Sequence, residues 1–270
     1  MLYICATPIG NLEDITIRTL NTLAKVDYIA CEDTRRTLKL LNHYDIKKKL
    51  VSLNEHNEFQ KREYILDDLK KGMDIALVSD AGMPGIQDPG QLLIQLAVEH
   101  DVPYTVLPGA SALITALVGS GVSKDEFLFL GFLPRKKSER LSILNRYADF
   151  FGEIILYEAP HRFAKLISDI HSVFGNRKIV IAREISKLHE EYIHTDLESA
   201  IESYPEIKGE IVLIIERGEQ QVEEIEIQDL QEIIQRLSEE GHSTKEITKI
   251  LVKEHNLSKN EAYDLVIKNK

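Results

Sequence analysis

The stretch VSDAGMPGIQDPG, residues 78–90, tells most about the fold of this chain. An apolar strand at 75–78 runs into eleven residues, 80–90, that contain three glycines, two prolines and two aspartates. Glycine lets a backbone approach a ligand closely, and proline holds a loop stiff. Open α/β sheets bind ligands in loops at the carboxyl ends of buried strands. The stretch therefore predicts a ligand-binding loop, with an ordinary pair of tight turns as the alternative.

Two other transitions from strand to loop have the same character. The segment ATPIGN, residues 6–11, follows the first predicted strand, and VLPGASA, residues 106–112, passes from a strand through a turn into a helix. Because the carboxyl ends of parallel strands meet at one edge of a sheet, we expect these loops to lie side by side there.

Strands and helices alternate up to about residue 120, which predicts a mostly parallel sheet covered on both faces. After Gly121 the pattern mixes strands and helices, and this predicts a second α/β domain with a partly antiparallel sheet and an edge strand at 192–195. An acidic stretch follows Gly218, and three short helical stripes beyond it resemble a helix-turn-helix unit. We therefore predict domains at 1–120, 121–220 and 221–270. Asp14 is expected to cap the first helix.

The composition is that of a soluble globular protein, with 270 residues, 43% of them apolar and 29% charged. No apolar run approaches the roughly 20 residues that span a bilayer, and no basic leader precedes the first apolar stretch. We expect no membrane span, no signal peptide and a cytoplasmic location. Cys5 and Cys31 lie in apolar runs and are expected to be buried thiols. No spacing of cysteine and histidine predicts a metal site.

The net charge of −11 argues against a general nucleic-acid coat but leaves room for local basic patches. One basic window spans residues 35–49 and another spans 135–146, and solvated surface is the alternative explanation for both. From His242 onward, lysines outnumber acidic residues. Two interpretations stay open for this helical appendage: a small cap or dimerisation element, or a contact to RNA.

Several short passages, taken together in their order and spacing, resemble the tetrapyrrole-methylase-like superfamily over residues 2 to about 217. They are TPIGNL (7–12), EDTR (32–35), SDAGMP (79–84), DPG (88–90), PG (108–109), GFLP (131–134), YEAPHR (157–162) and ARE (182–184). The EDTR and YEAPHR passages are not expected in porphyrin and corrin methylases, and they indicate a branch that acts on ribosomal RNA. The family loop has threonine where Met83 stands, so we expect cofactor contacts there to come from the main chain.

The resemblance implies two α/β domains of tetrapyrrole-methylase type, with S-adenosylmethionine bound in the cleft between them, and a homodimer. It also implies 2′-O-methylation of a cytidine ribose in the decoding region of 16S rRNA, with the 30S subunit as partner. The chain lacks the glycine fingerprint of dinucleotide folds, so the binding mode must differ. The loops predict the first seven of the following cofactor-binding residues, and family position implies the last four: Pro8, Ile9, Asp80, Gly82, Met83, Ser111, Ala112, Tyr157, Ala159, Ala182 and Glu210. Capping of the loop is the alternative role for Asp80, and capping of a helix is the alternative for Ser111.

Methyl transfer to a ribose hydroxyl is an in-line displacement that needs positioning, together with a general base or a cation that stabilises the alkoxide. Charged residues at strand ends are the candidates for this catalytic role, with Asp33 as a further one: Glu32, Arg35, Glu158, His161, Arg183 and Glu184. A salt-bridge network between domains or subunits is the alternative for all of them. Arg35 and Arg162 are also candidates for clamping phosphates.

Two other functions compete with RNA methylation. The first keeps the cofactor and replaces the substrate with a tetrapyrrole or corrin, although such a methylase has no need of the helical appendage. The second is a ribosome-associated binding module without activity. Intact glycine and proline loops speak against this second alternative, because loss of the ligand would relax the constraint on them.

Overall fold

A computed structural model of the chain describes residues 1–122, 126–218, 227–254 and 259–269. The chain forms two compact units, Met1–Gly218 and Glu219–Lys270. The predicted acidic linker, residues 219–226, lies outside the described residues. The division of the first unit near residue 120 stays a prediction.

The first sheet of the larger unit is entirely parallel, with strand order β3-β2-β4-β1-β5. Its strands are β1 (Leu2–Cys5), β2 (Tyr28–Cys31), β3 (Lys49–Ser52), β4 (Ile75–Val78) and β5 (Tyr104–Leu107). Its helices are α1 (Ile17–Lys25), α2 (Thr34–His43), α3 (Glu58–Lys70), α4 (Gln91–Glu99) and α5 (Ala112–Ser120). Strands β2 and β4 are buried along their whole length, as expected for a parallel sheet with helices on both faces.

The second sheet is mixed, with strand order β6-β7-β10-β8-β9, and only β6 and β7 pair in parallel. Its strands are β6 (Phe127–Phe132), β7 (Glu153–Glu158), β8 (Lys178–Arg183), β9 (Glu191–Asp196) and β10 (Ile211–Ile215). Helices α6 (Lys137–Arg146), α7 (Pro160–Phe174) and α8 (Leu197–Ser203) accompany it. The predicted edge strand is β9. Helix α5 packs Ala116 and Leu117 against this sheet, so it contacts the second sheet although it follows the last strand of the first.

The smaller unit consists of helices α9 (Ile227–Glu239), α10 (Thr244–Glu254) and α11 (Lys259–Asn269). Apolar side chains from all three helices form its core, among them Leu230, Ile234, Ile247, Leu251 and Val266. The predicted fold class, α/β with a helical appendage, is thereby confirmed. Among the described residues, no helix is long and apolar enough to cross a membrane.

Two local predictions need correction. Asp14 does not cap α1, because a 3-10 turn at Leu12–Asp14 moves the helix start forward, and the Thr16 hydroxyl accepts the capping hydrogen bond from the Thr19 backbone N–H at 3.1 Å. The second basic window is not uniformly exposed. The Arg140 side chain is buried, and its guanidinium pairs with Asp169 and donates to the Pro134 carbonyl oxygen at 2.9 Å.

Candidate active site

A cavity of about 500 Å³ opens in the larger unit at the carboxyl ends of β2 and β4, against strands β6, β7 and β10. Its lining includes eleven of the residues predicted for the site: Ile9, Glu32, Asp80, Gly82, Met83, Ser111, Ala112, Tyr157, Glu158, Ala159 and Glu210. Three predicted loops thus meet at one place, as parallel strands with a common edge require.

Backbone hydrogen bonds tie the loop after β1 to the loop after β4. Thr7 N–H donates to the Gly82 carbonyl oxygen at 2.9 Å, and Gly82 N–H donates to the Thr7 carbonyl oxygen at 3.0 Å. The Ser79 hydroxyl also donates to the Gly82 carbonyl oxygen. Gly82 has φ +81°, a conformation that favours glycine. The path of this loop is therefore held by main-chain contacts and by the Ser79 hydroxyl, while the Met83 side chain packs against the core beside the first sheet.

A buried carboxylate fixes the other end of the same loop. Glu58 Oε1 accepts hydrogen bonds from the backbone N–H groups of Gly90 and Leu92, each at 3.0 Å, and of Leu93 at 3.3 Å. These N–H groups begin helix α4 and have no partner within the helix. The amino terminus of α4 is thus capped from α3, and Gly90 at φ +119° makes the turn into the helix.

Three carboxylates from two strand ends gather on one wall of the cavity: Glu32, Asp80 and Asp88. Asp80 N–H lies 3.5 Å from Glu32 Oε2, and Asp80 Oδ1 accepts from Asp33 N–H at 3.0 Å. Burial, reinforced by the charge of Asp80, raises the pKa of Asp88 to about 6 and raises that of Glu32.

Arg36 is the single cation among the described residues that line the cavity, and its Nε lies 3.5 Å from Asp80 Oδ2. Its side chain is 65% exposed, so solvent screens this pair. The wall therefore carries an excess of negative charge. It suits a ligand with a cationic group or with N–H donors.

The opposite wall comes from the second sheet and includes Glu158. The Glu158 side chain is 1% exposed, and Oε1 pairs with Arg162 Nε at 3.2 Å and accepts from Ala159 N–H at 2.8 Å. Oε2 is buried without a hydrogen-bond partner among the described residues. Burial raises the pKa of Glu158, against the opposing effects of the Ala159 hydrogen bond and the Arg162 charge. A half-paired buried carboxylate is costly to folding and is a candidate for a functional role.

Aromatic rings form the apolar part of this wall. The Tyr157 ring packs edge-on against Phe129 and Phe132, with centroid separations of 4.9 Å and 5.5 Å. Phe129 and Phe132 both line the cavity because strand β6 has a bulge between Phe129 and Gly131. Without the bulge, residues three apart in a strand would point to opposite faces.

Six predicted site residues do not line the cavity: Pro8, Arg35, His161, Ala182, Arg183 and Glu184. Pro8 adjoins the tied loop and is half-buried, His161 is exposed at the start of α7, and Ala182 is fully buried under α5. Their roles stay predictions.

The three charged members of this group are paired with neighbours. Arg35 lies 3.0 Å from Asp33, Arg183 lies 2.6 Å from Glu191, and Glu184 lies 3.0 Å from Lys187. Lys187 also reaches Glu210 at 3.0 Å. The alternative weighed for Ser111 is seen as a contact, because Ser111 caps α5, whereas Asp80 accepts from the backbone of Asp33 in the segment after β2 and not from its own loop.

The sequence interpretation missed several residues of the lining. Asp88 and Gln87 lie inside the stretch that predicts the loop, and nothing in the local pattern separates them from loop-forming residues. Phe129 and Phe132 fit an ordinary strand, and only the bulge gives them a common face.

Comparisons with known proteins agree with this architecture. The sequence profile of the family described as Tetrapyrrole (Corrin/Porphyrin) Methylases matches residues 1–201. A protein of Halalkalibacterium halodurans called ribosomal RNA small subunit methyltransferase I is 42% identical over 98% of this chain and 93% of its own length. A protein of the same name from Hydrogenobaculum sp. is 47% identical over 80% of this chain and 95% of its own.

Among solved structures, the uroporphyrin-III C-methyltransferase of Thermus thermophilus in complex with S-adenosylhomocysteine superposes with a TM-score of 0.60. The match covers 80% of this chain and 96% of that chain at 15% identity. At this identity, the similarity shows a shared fold.

Proposed function

The chain belongs to the tetrapyrrole (corrin/porphyrin) methylase family, and from this premise we propose that it transfers a methyl group from S-adenosylmethionine to the RNA of the small ribosomal subunit. The observation that carries the proposal is the 42% identity to a ribosomal RNA small subunit methyltransferase over 98% of the chain. At the finer level, we propose the 2′-hydroxyl of a cytidine in the decoding region of 16S rRNA as the acceptor.

The residues of the cavity fit the proposed cofactor. When bound, S-adenosylmethionine supplies an electrophilic methyl carbon on a sulfonium cation. The acidic wall of Glu32, Asp80 and Asp88 offsets positive charge, and the backbone around Gly82 offers donors and acceptors to a polar ligand. The start of α5 beyond Ser111 suits a carboxylate or a ribose hydroxyl. The binding partner named in the Thermus structure is the demethylated form of the same cofactor.

The acceptor hydroxyl must lose its proton during the transfer. Glu32, Asp88 and Glu158 are the candidates that the cavity favours, because each is a carboxylate whose pKa burial raises. Glu158 has a free oxygen beside a paired one, which would let it accept a proton while Arg162 holds its orientation.

Methylation of a tetrapyrrole is the second candidate function, favoured by the fold of the Thermus enzyme. The length of the chain does not distinguish an RNA methyltransferase from a tetrapyrrole methylase. The match to the Hydrogenobaculum protein called ribosomal RNA small subunit methyltransferase I covers 95% of that protein but 80% of this chain. A protein of that name can therefore be about as long as this chain without its helical unit. Tetrapyrroles and RNA are both polyanions, so the carboxylates on the cavity wall do not separate the two candidates, and the choice between them rests on the relatives.

A homodimer in the cytoplasm, where ribosomes are assembled, completes the proposal. Apolar side chains are exposed on the edge strand β5 and on α5, namely Tyr104, Val106, Ile114 and Val118. Exposed apolar groups of this kind are typical of interfaces. Light scattering after gel filtration should give the mass of two chains, and Val118→Asp should give the mass of one.

The test of the function is transfer of radiolabelled methyl from S-adenosylmethionine to 30S subunits that lack the modification, with uroporphyrinogen as a parallel acceptor. We expect label in 16S rRNA at one position that resists alkaline cleavage, since a 2′-O-methyl group blocks the attacking hydroxyl. Label in uroporphyrinogen alone would replace the proposal with the second candidate.

A further inference from the structure

Phe132 is a large apolar side chain at the mouth of the cavity that the rest of the site leaves unexplained. It is 52% exposed although it lines the cavity, whereas Leu133, the next residue, is buried. Exposed aromatic rings at the mouth of a cavity are typical of binding sites for planar ligands.

The position of the ring is held from two sides. The Phe132 backbone N–H donates to Gln87 Oε1 at 3.2 Å, and the ring makes its edge contact with Tyr157. Gly131, at φ +61°, leaves no room for a side chain, because a Cβ there would lie 2.2 Å from Gln87 Nε2. The bulge, the close approach of Gln87 and the Tyr157 contact together fix Phe132 toward the cavity while half of its surface stays open.

The charge around Phe132 distinguishes between parts of a nucleotide. The residues that follow it include the exposed Arg135, and also Lys136 and Lys137, which are each 71% exposed and pair with Glu139 at 3.1 Å and with Asp169 at 3.4 Å. The cavity wall behind the ring carries Glu32, Asp80 and Asp88. Phosphates of a bound RNA are thus repelled from the interior of the cavity, whereas the segment after Phe132 offers the exposed cation Arg135. A nucleobase is neutral and offers N–H donors, such as the exocyclic amine of cytosine, to carboxylates.

We propose that Phe132 is the stacking platform for the target nucleobase, which enters the cavity mouth while the adjoining phosphates stay outside the acidic interior. This inference rests on the proposed function and adds to it the residue that positions the substrate. RNA-modifying enzymes commonly splay the target base out of its stack and hold it against an aromatic side chain. Such contacts tolerate replacement of one aromatic side chain by another, because Phe, Tyr and Trp rings all present a π face to the base.

The test uses Phe132→Leu, which keeps an apolar side chain and removes the ring, and Phe132→Trp, which keeps a ring. Phe127→Leu is the matched control, since Phe127 is 42% exposed on the same strand and does not line the cavity. The readouts are kcat and KM for unmodified 30S subunits and, separately, the Kd for S-adenosylmethionine by calorimetry.

We expect Phe132→Leu to lower kcat/KM for 30S subunits about tenfold or more with unchanged cofactor affinity, and Phe132→Trp and Phe127→Leu to stay close to wild type. Full activity of Phe132→Leu would overturn the inference. So would an equal loss in Phe132→Trp, or a parallel loss of cofactor affinity, which would assign the ring to the cofactor. If the wild type transfers no label to 30S subunits, both the proposed function and this inference fail. If the wild type is active and Phe132→Leu is equally active, the inference fails and the proposed function stands.

Discussion

Glu58 Oε1 lies 3.0 Å from the backbone nitrogen of Gly90, and this contact joins helix α3 to the end of the loop that carries Asp80 and Asp88. Because the same oxygen also accepts from Leu92 and Leu93, one side chain satisfies three backbone donors at the start of α4. The buried Glu58 carboxylate therefore caps helix α4, although it lies more than thirty residues earlier in the sequence.

We predict that Glu58→Ala lowers the free energy of unfolding by about 1–3 kcal/mol, because three buried N–H groups lose their acceptor. Glu58→Gln should lose less, since an amide oxygen still accepts but no longer carries charge at the positive end of α4. Urea denaturation measures both. Glu63→Gln is the control, because this side chain is 61% exposed on the same helix and should change stability little. Equal midpoints for Glu58→Ala and wild type would show that the cap is dispensable.

Gly90 should not tolerate a side chain. Its φ is +119°, and an added Cβ would lie 2.8 Å from Leu77 Cδ2 in the buried strand β4. Gly72 also has a positive φ, +90°, but no atom lies within 4 Å of its Cβ position. We expect Gly90→Ala to lower the melting temperature well beyond the shift in Gly72→Ala, because only the first adds a steric clash to the backbone strain. Similar shifts in the two variants would rule the clash out.

Asp88 should make stability depend on pH. Its folded pKa of about 6 lies above its ordinary value of 3.8, so the folded state holds the proton more tightly than the unfolded state. Its ionisation therefore lowers stability as the pH rises from about 4 to about 6, and the penalty is fully present above that window. We predict that Asp88→Asn is more stable than wild type at about pH 7 and gains nothing at about pH 4. Denaturation curves across this range provide the measurement, and a constant gain at every pH would contradict the assigned cause.

Asp80→Ala should weaken S-adenosylmethionine binding about tenfold or more while the protein stays folded, because the acidic wall loses its central charge. Calorimetry measures the affinity, and circular dichroism checks the fold. Asp67→Ala, an exposed aspartate on α3, is the matched control. Unchanged affinity in Asp80→Ala would leave the residue with a capping role alone, through its hydrogen bond from Asp33 N–H.

Removal of residues 222–270 should spare cofactor binding, since every described residue that lines the cavity belongs to the larger unit. We expect the truncated chain to methylate 30S subunits with a raised KM if the helical unit contacts RNA. Kinetics on 30S subunits, compared with the full chain, measure this. An unchanged KM would assign the unit a structural role.

The features that the sequence predicted are those that depend on local patterns of residues. Short apolar runs alternating with helical patterns located the strands and helices of both sheets, and the glycine and proline loops located the carboxyl edge where the cavity lies. The pattern could not show that Phe129 and Phe132 share a face, since that depends on a bulge seen only in the pairing of β6 with β7. It also could not separate Asp88 from its loop neighbours, because the burial that perturbs it comes from distant strands.

Basic windows in the sequence predicted the exposed surface less well than apolar patterns predicted the core. Arg140 counts toward a basic patch in the sequence, but its helix turns it inward onto Asp169, twenty-nine residues away. A run of cations says nothing about which members face solvent until the tertiary structure supplies the partners.

The burial of Arg140 has a consequence for how the protein should respond to ionic strength. Each phosphate neutralised by a surface cation releases counterions from the nucleic acid, and the number released sets how steeply affinity falls with added salt. A guanidinium already neutralised by Asp169 releases none. The salt dependence of RNA binding should therefore be shallower than the basic window at 135–146 suggests, because Arg140 is buried on Asp169, and the exposed Lys136 and Lys137 also pair, with Glu139 and Asp169.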